Sequence, residues 1–220
     1  MVSIVVDGKQ IQAEEGSSLL QVCLENDIYI PNLCYLKEME NPTGSCRLCL
    51  VEIEGEFKPR TSCRVKVWDG MVVKTDTPKV RQLQRIDFQL LMTAHHMDCK
   101  NCLSKRHCEL QKIGKLLGVK LKDAEFDKLD RPNLAVIKHP CFDLVPSRCI
   151  LCRKCLFVCG QKNPEPILKL ARKGFEHVIE VASSEDDPEK LPCKDCQACV
   201  KVCPVSAIVP VPTDQEQKSV

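Results

Sequence analysis

Two short cysteine runs constrain this chain more than any other feature. Cys149-x2-Cys152-x2-Cys155-x3-Cys159 is followed by Cys193-x2-Cys196-x2-Cys199-x3-Cys203-Pro204. The second run repeats the first, with Gly160 standing where the second has proline. Each tight Cys-x2-Cys turn aims successive thiolates at one point. A more distant fourth cysteine closes a cage around that point and ties the two repeats together.

The spacing is that of bacterial ferredoxins, in which the fourth cysteine ligates the other [4Fe–4S] cluster. One cluster is expected on Cys149, Cys152, Cys155 and Cys203, the other on Cys193, Cys196, Cys199 and Cys159. Zinc also binds Cys-x2-Cys pairs, but zinc sites rarely show three evenly spaced cysteines plus a fourth, twice.

The chain has 17 cysteines in all. An odd count leaves a thiol over in any all-disulfide scheme. Met1 leads directly into the alternating segment Val2–Val6 without a signal peptide, so a reducing, cytoplasmic setting is expected. No run of about 18 apolar residues is present, so no transmembrane segment is expected. A formal charge of +2 argues against a nucleic-acid binder.

Two more cysteine sets precede the repeats. Cys34-x11-Cys46-x2-Cys49-x13-Cys63 offers four thiolates around a central Cys-x2-Cys and suits a [2Fe–2S] cluster. Gly44 in the loop Gly44–Cys49 lets the backbone approach the sulfurs. The set His95-x3-Cys99-x2-Cys102-x5-Cys108 holds three cysteines, and His95 is placed to be a fourth ligand. His96 and His107 are rivals on spacing alone. Cys23 and Cys141 are left over, and neither reads as a ligand.

The pattern of elements is α+β. Alternating segments Val2–Val6 and Lys9–Ala13 flank an Asp7-Gly8 turn. Ser17 or Ser18 can cap a helix through Leu19, Leu20, Val22 and Cys23. Strand-like runs follow at Leu50–Glu54, Arg64–Trp68 and Met71–Lys74. Residues 78–130 read as helical, with an apolar stripe of Val80, Leu83, Ile86, Phe88, Leu90 and Leu91 and a second helix at Glu109–Leu117 that Gly118 can end. Phe175–Val181 reads as a strand, Ser183–Lys190 as a charged loop and Thr213–Val220 as a polar tail. Three domains result: 1–77, 78–130 and 131–212, with a tail at 213–220.

The order of these motifs resembles the small iron–sulfur diaphorase subunit of NAD-linked bidirectional and electron-bifurcating hydrogenases and transhydrogenases. It is similar also to the N-terminal region of [FeFe]-hydrogenases and of the large peripheral iron–sulfur subunit of complex I. The resemblance spans Val2 to about Pro210. It implies a β-grasp [2Fe–2S] ferredoxin domain using Cys34, Cys46, Cys49 and Cys63. It also implies a small helical [4Fe–4S] domain using His95, Cys99, Cys102 and Cys108, and a C-terminal 2[4Fe–4S] ferredoxin domain. His95 is favoured over His96 on this ground.

The resemblance further implies electron relay between a flavin- and NAD(P)-binding subunit and a catalytic subunit such as a [NiFe] hydrogenase. A small thioredoxin-like [2Fe–2S] subunit and a ferredoxin are the other implied partners. The same relay role in a formate dehydrogenase or transhydrogenase complex, or as a free-standing polyferredoxin, has the same residues. No phosphate-cradling glycine loop is present, so no catalytic residue of its own is expected. Cationic residues lie among the ligands, namely Arg47, Lys100, Lys105, Arg106, Arg148, Arg153, Lys154 and Lys194. They either raise cluster potentials or simply face water or a partner.

Overall fold

The computed structural model describes residues 1–105, 107–121, 135–172, 174–181, 193 and 196–211. The expected loop Ser183–Lys190, the tail Thr213–Val220, the boundary at 130–131, Arg106 and Lys194 lie outside them. The chain divides into two compact units. One comprises residues 1–92 with the described residues 111–121, and the other residues 93–110 with the described residues from 135 onward.

The first unit is built on a mixed five-stranded sheet whose strands lie in the order Lys9–Ala13, Val2–Val6, Val72–Lys74, Leu50–Ile53, Arg60–Thr61. Strands β1 (Val2–Val6) and β2 (Lys9–Ala13) form a hairpin in the register Val2↔Ala13 to Val6↔Lys9. The turn between them needs positive φ at both Asp7 (49°) and Gly8 (83°), which matches the right-handed strand twist. Alternation then buries Val2, Ile4 and Val6 of β1 on one face.

Helix α1 (Leu19–Glu25) buries Leu19, Leu20, Val22 and Cys23 in the same core. Each fully buried Leu or Ile contributes about 1.5–3 kcal/mol. Ser18 occupies the N-cap position without a side-chain capping bond. Strand β3 (Leu50–Ile53) pairs antiparallel with β4 (Arg60–Thr61) and with β5 (Val72–Lys74), while β5 runs parallel to β1.

The expected strand at Arg64–Trp68 is not one. A 3-10 turn takes Ser62–Arg64, and only Lys66 bridges, to Ser18. The turn uses up the start of the run in order to place Cys63.

Helix α2 (Pro78–Ala94) opens with Thr77 Oγ1 accepting the Val80 N–H at 3.1 Å. Its buried face is Val80, Gln84, Phe88, Gln89 and Met92. This corrects the apolar stripe, because Ile86 and Leu90 are exposed. The i, i+4, i+8 row Val80, Gln84, Phe88 faces inward, and Gln84 is tolerated there because its amide donates to the Leu50 carbonyl at 3.3 Å. Helix α3 (Glu109–Leu117) ends at Gly118 with φ 66°, and Arg85 Nε donates to the Leu117 carbonyl at 2.7 Å.

In the second unit, β6 (Ile137–His139), β7 (Phe142–Leu144) and β10 (Ile208–Pro210) form an antiparallel sheet in the order β10-β7-β6. Strands β8 (Leu168–Ala171) and β9 (Val178–Val181) form a separate hairpin. The strand expected from Phe175 therefore starts at Val178, after a 3-10 turn at Gly174–Glu176. Helices α4 (Lys154–Lys162) and α5 (Ala198–Val202) pack together. The core between these elements contains Cys141, Cys155, Cys159 and Cys193 beside Phe142, Leu144 and Ile208.

Candidate metal centres

The two cysteine runs of the second unit open onto two cavities. One, of about 350 Å³, is lined by Cys149, Cys152, Cys155 and Cys203, with Arg153, Leu144 and Ala207 in its wall. The other, of about 310 Å³, is lined by Cys159, Cys193, Cys196 and Cys199, with Phe142, Asn163 and Gln197 in its wall. Each cavity takes three cysteines from one run and the last cysteine of the other. Left-handed residues make this possible: Arg153 (φ 63°) and Gln197 (φ 46°) sit at the N-caps of α4 and α5 and turn each Cys-x2-Cys segment inward.

Hydrogen-bond donors face the sulfurs. The Leu151 N–H reaches Cys149 Sγ at 3.4 Å and the Ala207 N–H reaches Cys203 Sγ at 3.2 Å. On the other quartet, Asn163 Nδ2, at the C-cap of α4 and four residues after Cys159, lies 3.8 Å from Cys159 Sγ. Burial pushes Cys152 and Cys199 up to about 12 and Cys193 up to about 11. Thiols so buried hold their protons until a positive centre replaces them.

One atom tests whether an anionic cluster suits the larger cavity. Arg153 Nε is buried without a hydrogen-bond partner among the described residues, in a wall shared with four cysteines. A buried guanidinium N–H left alone is costly, and cluster sulfur is the kind of acceptor that answers it. The residues present therefore fit a thiolate-held cluster. Among the described residues, no group of three or more His, Cys, Asp or Glu side chains converges to hold a single metal ion; the cysteines of each quartet instead stand around the wall of a cavity.

In the first unit, Cys34, Cys46, Cys49 and Cys63 are all buried. Cys34 Sγ lies 3.4 Å from Cys46 Sγ. The Cys46 hydrogen bond holds the Cys34 thiol below its ordinary range, and the same contact, with burial, pushes Cys46 up. Cys49 is pushed up by Cys63 in the same way. The loop carrying Cys46 and Cys49 has positive φ at Gly44 (61°) and Arg47 (55°). Arg47 Nε faces Asp87 Oδ1 of α2 at 3.8 Å.

His95, at the end of α2, is buried, and its Nδ1 lies 2.8 Å from the Arg148 carbonyl oxygen. His96 and His107 are exposed. Cys99, Cys102 and Cys108 are half-buried in the turns between α2 and α3. Cys23 is fully buried, with its thiol pushed up to about 12 by burial. Cys141 is buried in the core that holds Cys193. Asp87 carries no direct signal at the level of sequence. For Asn163 the signal was available, because it stands four residues after Cys159.

Residues 1–78 match the family described as a 2Fe-2S iron-sulfur cluster binding domain. Its homologues are NAD- and NADP-reducing hydrogenase subunits and complex I 75 kDa subunits. The chain is 32% identical to the NADP-reducing hydrogenase subunit HndD of Solidesulfovibrio fructosivorans, across 95% of this chain and 36% of that one. It is 28% identical to the NAD-reducing hydrogenase HoxS subunit gamma of Cupriavidus necator, across 94% and 86%.

The NADH-ubiquinone oxidoreductase 75 kDa subunit of Reclinomonas americana is 29% identical, across 96% and 30%. The chain thus spans about a quarter to a third of several of these relatives and most of the HoxS subunit. Its fold matches a chain of the NAD+-reducing [NiFe]-hydrogenase in the H2-reduced state with a TM-score of 0.82 and 26% identity, covering 95% of this chain and 87% of that one. Among the described residues, no helix is long and apolar enough to cross a membrane.

Proposed function

We propose that this chain is an electron-relay subunit holding one [2Fe–2S] and three [4Fe–4S] clusters. It would stand between a flavin- and NAD(P)H-oxidising subunit and a catalytic partner such as a hydrogenase. The observation that carries the reading is the pair of cavities, each lined by four cysteines with the fourth exchanged between runs. The arrangement supports Cys149, Cys152, Cys155 and Cys203 as one ligand set and Cys193, Cys196, Cys199 and Cys159 as the other.

Cys34, Cys46, Cys49 and Cys63 are the [2Fe–2S] ligands in this reading, held by a β-grasp domain. His95, Cys99, Cys102 and Cys108 hold the remaining cubane. The cysteine blocks 1–77, 78–130 and 131–212 are accordingly the cluster-binding domains. Bound there, the clusters supply one-electron chemistry. The chain's own part is to hold the thiolates, donate N–H groups to sulfur and keep water out.

A subunit role is supported by the near-complete coverage of the HoxS subunit gamma. Anaerobic purification with iron and acid-labile sulfide analysis tests the cofactor count, with about 14 iron atoms per chain expected. Two or fewer iron atoms with stoichiometric zinc would overturn it. Native purification tests the role, and a chain that elutes alone would instead be a free-standing polyferredoxin.

A further inference from the structure

The two cysteine repeats put different residues at one structural position. Arg153 follows Cys152 and Gln197 follows Cys196, both in the left-handed conformation and both at the N-cap of the helix that carries the third cysteine. Each also lines its own cavity. Their polar atoms meet opposite fates. Gln197 Nε2 is spent on the backbone, donating to the Cys141 carbonyl at 2.9 Å. Arg153 Nε is buried and finds no partner among the described residues.

Two backbone N–H groups, of Leu151 and Ala207, also point at sulfurs of the Arg153 cavity. The Gln197 cavity has the longer Asn163 side-chain contact.

We propose that Arg153 makes the cubane held by Cys149, Cys152, Cys155 and Cys203 the higher-potential one of the pair, so that one added electron rests there and not in the Gln197 cavity. The inference rests on the reading of both cavities as [4Fe–4S] sites. Reduction adds one negative charge inside a wall that already holds a fixed cation and an unanswered N–H. Both favour the reduced state. The neutral, satisfied amide of Gln197 offers neither. The two repeats therefore form a graded pair, with the grade written into one residue of each.

The test is an EPR-monitored titration of the anaerobically purified full-length chain with dithionite and mediators, run beside iron and sulfide analysis. Arg153→Gln should lower the midpoint of one cubane and leave the other in place. A shift of about tenfold in the reduced-to-oxidised ratio at fixed potential corresponds to ~59 mV for a one-electron couple. Gln197→Arg should raise the other midpoint, and Arg153→Lys should retain most of the wild-type value.

Normal iron and sulfide with unmoved midpoints in both Arg153→Gln and Gln197→Arg would overturn the inference and leave the site reading standing. Wild-type protein without cubane signals would overturn both. If Arg153→Gln fails to hold iron, Gln197→Arg decides alone.

Discussion

The imidazole of His95 and the backbone of Arg148 are joined at 2.8 Å, Nδ1 to carbonyl oxygen. A carbonyl can only accept, so Nδ1 carries a proton, which in the neutral ring leaves the lone pair on Nε2. That is the tautomer a metal-ligating histidine needs, with its other ring nitrogen fixed by a carbonyl. His95→Ala should remove one cubane, about 4 of about 14 iron atoms, and one EPR component. His95→Cys should keep the iron and lower that midpoint, because a thiolate adds negative charge. A His95→Ala chain with full iron and an unaltered spectrum would exclude His95 as a ligand.

Gly44 holds φ at 61°, and a Cβ there would stand 3.0 Å from Arg64 Cδ. The side chain of Arg64 can shift, but the backbone conformation is disfavoured for any other residue. Gly44→Ala should therefore destabilise the loop of Cys46 and Cys49 by about 1–2 kcal/mol. Faster bleaching of the [2Fe–2S] absorbance in urea is the readout. An unchanged urea midpoint would mean that the loop does not depend on this geometry.

Much of this was legible in the sequence, for a physical reason. Ligand spacing is local, so the repeat around Cys152 and Cys196 pointed to the two cysteine quartets that line the two cavities. The Asp7-Gly8 hairpin and the Gly118 helix end were equally local. What was hidden depends on tertiary contact. Ile86 and Leu90 look like core and are exposed, because Gln84 takes the inward row through its bond to Leu50. The run after Cys63 alternates like a strand, yet the turn that aims Cys63 consumes its start. For Arg153 the sequence left two roles open and for Gln197 it carried no signal; only the tertiary structure separates the bonded Gln197 amide from the Arg153 Nε that has no partner among the described residues.

Asp87 is half-buried beside Arg47, and burial raises its carboxyl above the ordinary range despite that cation. A raised folded value means that the group favours folding while protonated. That contribution is complete below the unfolded value, about 3.9, and is lost as pH rises through the folded value. At pH 7 the ionised form costs stability. Arg47 offsets little of this cost, since its side chain is 64% exposed. Asp87→Asn should raise stability near neutrality by less than about 1 kcal/mol, with the gain vanishing on acidification below the unfolded value. Paired thermal melts across that range check it. A loss at pH 7 would show that the Arg47 contact outweighs the burial.

Iron removal should divide the molecule. The first unit has an apolar core of its own, with Ile4, Val6, Leu19, Leu20 and Ile30 fully buried. The second unit counts Cys155, Cys159 and Cys193 among its core residues, and its helices α4 and α5 stand on the two cysteine-lined cavities. Once the iron leaves, these thiols take up protons, and the two cavities lose the cross-link between the two runs around which α4 and α5 are packed. Cluster binding is therefore part of the folding energy of the second unit and a smaller part of that of the first. After anaerobic chelation, hydrogen exchange should show β1–β3 and β5 still protected and α4, α5 and β6–β10 open. Uniform protection, or uniform loss, would contradict this division of stability.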